Sequence, residues 1–386
     1  MKTRWYGLVA GVMAVLAFGG PAFAQGADPI RIGVILPVTG PFAELGLNSK
    51  AGIEFRIQEA GGTVAGRPVR LVLGDEGALP SVALDQGKKL VEQDRVHLVL
   101  GPFVSGPRLA VEPYFAEQKI STLTISNHTP AAKKFGWTLF TRGTLWQVPH
   151  PLGIYAAEQL RLKTVVTLAQ DFVASRAYIE HFVESFKEKG GTVVQQHWTA
   201  VGKGDFGPYL VAMKEADALA VFLAGADILS FLKQYGEFGL QKKKLRLLLP
   251  QASVLEESHV QALGEVTLGI VGSNDYVRAL DSPANKRFVA AFEQKHGKRA
   301  ERTHAAGYEA ASIALAALEA TRGDTTPEKL RAALLQVKLE APSGRVSFTP
   351  SGIAIRDVHI SEIKKMGNEY AWIPLKTYPQ VIQPGD

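Results

Sequence analysis

Arg31-Ile32-Gly33-Val34-Ile35-Leu36-Pro37-Val38 is the stretch on which the fold turns. Its apolar residues run without alternation, so it reads as a strand buried on both faces. Gly46–Ala60 follows as a helix, and the same pairing then repeats. Val69–Leu73 precedes a helix over Ser81–Gln93, Leu98–Leu100 precedes a helix over Pro107–Gln118, and Thr122–Ile125 closes the series. Short continuous apolar strands, each followed by a helix, predict a parallel sheet with helices on both sides.

The rhythm then restarts. Thr164–Ala169, Ser175–Lys189, Thr192–His197, Tyr209–Glu215, Ala218–Leu223, Ile228–Phe238 and Leu245–Leu249 form a second strand–helix series. Helices are expected over Pro283–His296, His304–Thr321 and Pro327–Leu335, with β segments at Val346–Phe348, Ile355–Ile363 and Tyr370–Leu375. A chain of 386 residues exceeds the size at which a single core stops growing, roughly 250–300 residues. No Pro- or Gly-rich linker divides it, so two lobes joined by several short crossings are expected. Open parallel sheets bind ligands beyond the carboxyl ends of their strands, and two such sheets face to face enclose a cleft. Function is therefore sought in the loops Pro37–Leu45, Gly101–Gly106, Ser126–Pro130, Gln170–Ser175, Ala224–Asp227 and Pro250–Ser253.

Composition narrows the classes further. The sequence is 46% hydrophobic and 21% charged, the range of ordinary globular domains. The absence of Cys excludes disulfide scaffolds, thiolate metal sites, thiol nucleophiles and a lipidated Cys anchor. A net charge of +6 comes from 43 basic and 37 acidic residues, and the one basic run, Lys242–Lys244 with Arg246, lacks interleaved aromatics. It reads as a solvated helix end, and no nucleic-acid partner is expected. Residues 1–24 read as a cleavable export signal: Lys2 and Arg4, the apolar run Gly7–Phe18, then Ala22-Phe23-Ala24. The run falls short of the about 20 residues that span a membrane as a helix, and with no Cys the expected compartment is the periplasm.

The sequence shows no catalytic constellation. No serine sits in a G-x-S-x-G elbow. Gly61-Gly62-Thr63-Val64-Ala65-Gly66-Arg67-Pro68 lacks the Lys and hydroxyl of a phosphate loop and reads as a turn into the next strand. The nine histidines have no metal-ligand spacing, so neither metal nor cofactor is expected. Asp75 and Glu76 are adjacent at a strand end and point opposite ways, which argues against joint acid–base work.

Ile32-Gly33-Val34-Ile35-Leu36-Pro37-Val38-Thr39-Gly40-Pro41 resembles the opening of the type I periplasmic binding proteins of the leucine/isoleucine/valine-binding kind. So do Ala60-Gly61-Gly62 with Ala65-Gly66-Arg67-Pro68-Val69, Lys89–Asp94 leading to Leu100-Gly101-Pro102, and Ala306-Gly307-Tyr308-Glu309-Ala310-Ala311. The resemblance covers the whole mature chain. It implies an α/β fold of two Rossmann-like lobes with parallel-type sheets joined by a three-crossing hinge. The lobes would comprise 28–143 with 275–345 and 144–274 with 346–386, crossing near Arg142–Gln147, Gly272–Tyr276 and Gly344–Ile355. It also implies a monomer that closes on a small ligand and delivers it to the permease and ATPase subunits of an ABC importer.

In the amino-acid binders of this family a Ser and a Thr after successive strands hold the ligand carboxylate, and Ser105 and Thr129 stand in those places. Both precede helices, whose free N–H groups and dipole favour an anion. The Glu that pairs the ligand ammonium corresponds to Gln251, which cannot neutralise a cation. The tyrosines of the second lobe correspond to Ala174 and Ala226, and the first-lobe aromatic to Leu45. Phe103, Phe172 and Trp146 are candidate ring contacts and His128 a candidate polar one, with Val104, Ser126 and Asn127 completing the expected site. A missing acid and smaller walls predict a bulky, non-zwitterionic carboxylate, aromatic in the first instance. Two other readings stay open: a branched-chain amino-acid binder whose ammonium pairs with Asp227 or Asp275, and a ligand-sensing module of an amide-sensor regulator.

Overall fold

A computed structural model describes Met1 and residues 28–77, 79–127, 136–243 and 245–385. The export signal, Lys244, His128 and Thr129 lie outside the described residues. The first series comprises β1 (Ile30–Leu36), α1 (Ala43–Glu59), β2 (Thr63–Val64), β3 (Arg67–Asp75), α2 (Pro80–Lys88), β4 (Leu98–Leu100), α3 (Ser105–Glu117), β5 (Ser121–Leu123) and β6 (Thr138–Leu139). The second runs α4 (Pro149–Glu158), β7 (Thr164–Gln170), α5 (Val173–Glu188), β8 (Thr192–Thr199), α6 (Gly207–Val211), β9 (Ala218–Phe222), α7 (Ala226–Glu237), β10 (Arg246–Leu249), α8 (Glu257–Leu263) and β11 (Val271–Asn274). The chain ends with α9 (Pro283–His296), α10 (Arg302–Ala320), α11 (Pro327–Leu335), β12 (Leu339–Ala341), β13 (Gly344–Phe348), β14 (Ala354–Met366) and β15 (Glu369–Val381).

The first sheet has the order β2-β3-β1-β4-β5-β6 and is parallel apart from the β2–β3 hairpin. Successive residues of β1 pack on opposite sides: Val34 and Leu36 join Ile53, Ala310 and Ala314, whereas Ile35 joins Leu90, Val99 and Phe115. This is the double burial that the uninterrupted apolar run demands. The second sheet behaves likewise, Val166 packing with Leu219 and Phe231 and Val165 with Ala218 and Phe182. α7 shows the helical counterpart, with Ile228, Phe231, Leu232 and Tyr235 buried along one stripe.

Three expectations need correction. The second sheet, β12-β13-β14-β11-β10-β9-β7-β8 with β15 on β14, is mixed: β7 to β11 pair in parallel, but β11–β14, β14–β15 and β13–β14 are antiparallel. The β14–β15 pair is a hairpin of two 13-residue strands turning at Gly367, whose φ of +64° suits glycine. The helix expected over Tyr209–Glu215 stops at Val211, because Gln195 Oε1 captures the Lys214 N–H at 2.8 Å. The helix expected over Ser81–Gln93 is α2 followed by a π-helical turn at Lys89–Gln93.

α1 and α10 approach each other backbone to backbone. A Cβ on Gly52 would stand 2.0 Å from His304 O, and one on Gly307 2.0 Å from Ser49 O, so glycine is required at both points of contact. The chain leaves the first sheet after β6 for β7 of the second, and after β11 its helices α10 and α11 pack back on the core of the first before β12 to β14 rejoin the second. At these crossings Arg142, Asp275, Glu309 and Arg356 are buried together. Arg142 Nε donates to Asp275 Oδ2 at 3.0 Å and its Nη1 to Glu309 Oε2, while Arg356 donates to Thr141 O at 2.8 Å and Ser343 Oγ at 2.6 Å.

Candidate ligand-binding cleft

In the first sheet β1 stands between β3 and β4, so the chain leaves β1 toward one side and returns on the other; in the second, β7 stands likewise between β8 and β9. These are switch points, where the loops beyond the strand ends part and leave a crevice. The two crevices face each other across one cavity of about 370 Å³. Gly40–Leu45, Phe103–Ser105 and Ser126–Asn127 line it from the first sheet, and Phe172, Ala174, Phe222 and Ala224–Ala226 from the second. Gln251, Glu256, Arg302 and Thr303 close its floor. Gly225 adopts φ +65°, and a Cβ there would lie 3.5 Å from Pro41 O, so the two rims come together at a glycine.

The acidic pair at the end of β3 holds these loops. Asp75 Oδ1 accepts the Val38 and Gly77 N–H groups at 3.0 and 2.9 Å, and Oδ2 accepts the Thr39 hydroxyl at 2.6 Å. Glu76 is fully buried and its Oε1 accepts the N–H groups of Phe103 (3.2 Å) and Val104 (3.0 Å). Burial pushes the Glu76 carboxyl up to about 8 in spite of those two bonds. The Phe103 and Val104 amides are thus committed to Glu76, and α3 begins at Ser105 with an extended residue before it. Ser126 Oγ donates to Phe103 O and ties the loop after β5 to the same rim.

Hydrogen bonding fixes the orientation of the polar floor. Asn127 Nδ2 donates to Arg142 O, so Asn127 Oδ1 is the acceptor that meets Gln251 Nε2 at 2.9 Å and Arg302 Nη2 at 2.8 Å. Gln251 Nε2 also reaches the Tyr178 hydroxyl at 3.3 Å, and its Oε1 is buried without a partner. Arg302 Nε and Nη2 grip Asp275 at 2.9 and 2.8 Å. Burial works against the Asp275 charge, but Arg142 and Arg302 outweigh it and hold the carboxyl well below its usual range. Glu256 accepts the Arg302 N–H and the Thr303 hydroxyl, both at 3.1 Å; burial and the neighbouring Glu301 raise its pKa well above that of an ordinary carboxyl. Its oxygens are thus spent on a main-chain N–H and a hydroxyl, and burial opposes its ionisation.

One wall is aromatic. Tyr178 stacks on Phe222 with ring centroids 4.7 Å apart and 19° between planes, and Phe172 tilts against Phe222 at 6.1 Å. At the mouth, His259 Nε2 of α8 faces Glu44 Oε1 of α1 at 3.6 Å, one sheet's helix against the other's.

The structure brings Leu45, Phe103, Val104, Ser105, Ser126, Asn127, Phe172, Ala226 and Gln251 to this wall. Trp146 is not among them; it stacks on His150 at 4.2 Å beside the first crossing. Neither acid considered for an ammonium partner is in the wall. Asp227 is occupied by Gln170 Nε2 (2.6 Å) and the N–H groups of Gly202 and Gly204, and Asp275 by its arginines. Sequence reasoning missed Tyr178 and Phe222, which read as helix and strand core, and Arg302, which lies far from any strand end. Among the described residues no group of three or more His, Asp or Glu could hold a metal ion, and no helix is long and apolar enough to cross a membrane.

Residues 29–368 match the family model of a periplasmic binding protein. Leu/Ile/Val-binding protein homolog 6 of Brucella melitensis is 28% identical, the match covering 96% of this chain and 97% of that one. A solute-binding protein of an ABC transporter from Rhodopseudomonas palustris BisB5, solved with 3,4-dihydroxybenzoic acid, superposes with TM-score 0.88 at 27% identity, covering 92% of this chain and 99% of that one. A second, from R. palustris HaA2 and solved with p-hydroxybenzoic acid, gives TM-score 0.86 at 29% identity over 92% and 98%. Two α/β lobes meeting at their switch points around a cavity, with a family match over almost the whole described chain, lead to one conclusion: the chain belongs to the type I periplasmic binding proteins, the solute-binding components of ABC transporters.

Proposed function

We propose that this protein captures a small aromatic carboxylate in the periplasm by hinge closure and presents it to permease and ATPase subunits. On this reading the lobe of 28–143 with 275–345 docks the ligand carboxylate at the start of α3, at Ser105, with Thr129 as its companion. The lobe of 144–274 with 346–386 then closes, bringing Gln251 and Phe172. The ligand favours the closed state through contacts made to both lobes at once.

The observation that carries the reading is the floor of the cavity. The floor presents the amide of Gln251, which by the family resemblance takes the place of the acid, and both alternative acids are bonded elsewhere. An ammonium ion beside Gln251 would lack the paired carboxylate, and removing one partner of a buried ion pair costs about 3–5 kcal/mol. The rings of Phe172, Phe222 and Tyr178 suit a flat partner, adding about 0.5–1.5 kcal/mol per ring pair. The benzoic acids in the two Rhodopseudomonas relatives support the same class. The name of the Brucella relative supports a branched-chain amino acid instead, but the occupied Asp227 and Asp275 count against it.

Thermal-shift screening against aromatic acids and amino acids tests the proposal. A ligand at 100 times its dissociation constant stabilises by about 2.7 kcal/mol, so a benzoate-class acid should raise the melting temperature and leucine should leave it unchanged. The reverse pattern refutes the reading.

A further inference from the structure

Arg302 opens α10, lines the cavity, and keeps 7% of its side chain exposed. Asp275 is gripped side-on, through Nε and Nη2, and the second proton of Nη2 goes to Asn127 Oδ1. Nη1 enters none of these bonds, so its two N–H groups are the donors this guanidinium can still offer. The surrounding cluster is not balanced. Arg142, Arg302 and Arg356 bring three positive charges against the two carboxylates of Asp275 and Glu309. Glu256 accepts the Arg302 main-chain N–H and the Thr303 hydroxyl, and forms no ion pair with the described guanidinium groups of the cluster. A buried unpaired charge is unfavourable, and an anion in the cavity relieves it.

We propose that Arg302 is the residue that makes the site select an anion, offering Nη1 to the carboxylate of the bound acid. This rests on the reading of the cleft as a carboxylate site and names the charge that Ser105 and the start of α3 lack. Arg302 stands on the rim they share: its Nη2 meets Asn127, and the neighbouring Ser126 is bonded to Phe103 O at the entry to α3. Through Asp275 the same guanidinium is coupled to Arg142 and so to the first two crossings.

The test is calorimetric titration of the full protein with benzoate and with benzamide, its neutral isostere, for wild type, Arg302→Gln and Arg302→Lys. A hydrogen bond to a charged group supports an expected loss of about 10- to 100-fold in benzoate affinity for Arg302→Gln. Benzamide should change by less than about threefold, and Arg302→Lys should recover part of the benzoate affinity. Equal loss of both ligands, or unchanged benzoate binding by a folded Arg302→Gln protein, overturns the inference. Wild type that binds a different, non-aromatic acid and loses it in Arg302→Gln removes the aromatic reading and supports Arg302. Wild type that binds no acid at all overturns both.

Discussion

Placing an acid in the floor of the cleft by Gln251→Glu tests the electrostatics of the site directly. Gln251 Nε2 and Arg302 Nη2 meet on the one oxygen of Asn127, through bonds of 2.9 and 2.8 Å, so they lie no more than about 5.7 Å apart. A carboxylate at 251 would therefore pair with the charge that serves the ligand. At an effective dielectric of about 20, a unit charge at that separation is worth about 3 kcal/mol, or roughly two decades in affinity. Burial of the new group opposes its ionisation, so the loss should be large at pH 8 and shrink toward pH 5. Calorimetric titration with benzoate at both pH values measures this. Gln251→Ala serves as the control, since it removes the bond to Asn127 and adds no charge. Benzoate affinity within threefold of wild type at pH 8, in a protein that still melts cooperatively, would refute the reasoning.

Other outcomes follow from the same structure. Glu76 holds its proton to about pH 8 when folded and only to about 4.5 when unfolded, as does Glu257. The stability these two carboxyls contribute is thus fullest below about pH 4.5, falls as pH rises through that window, and is gone above about 8; Glu76→Gln should flatten the slope by up to about 1.4 kcal/mol per pH unit in urea unfolding. Asp275→Asn leaves Arg142 and Arg302 buried beside a neutral amide and should cost about 3–5 kcal/mol, read from the urea midpoint. Glu44→Ala removes the half-exposed pair with His259 at the mouth. It should raise the ligand dissociation rate by no more than about fivefold in stopped-flow fluorescence, with little change in association.

The sequence shows the strand–helix rhythm because strands buried on both faces are apolar at successive positions, as β9 is throughout and β1 is after Arg31. The loops that carry the wall follow from that rhythm, since switch points lie beyond strand ends. It conceals the antiparallel C-terminal strands, where the hairpin at Gly367 depends on a turn rather than on hydrophobic pattern. Tyr178 and Phe222 were hidden for a related reason: a ring on a buried face looks the same whether it meets a core or a cavity. Arg302 was hidden because its neighbours Asn127 and Asp275 are far away in sequence and are brought to it only by the crossings. That Gln251 lies in the wall was legible from its place after β10; that its amide nitrogen is tied to Asn127 was not.

The most direct measurement is calorimetric titration of the wild-type protein with 4-hydroxybenzoate and with leucine at several temperatures. The account predicts saturable 4-hydroxybenzoate binding with a negative heat-capacity change, the mark of apolar burial between closing lobes, and no heat from leucine. Leucine bound more tightly than about 10 µM, equivalent to roughly 7 kcal/mol, with no response to the aromatic acid, would contradict it.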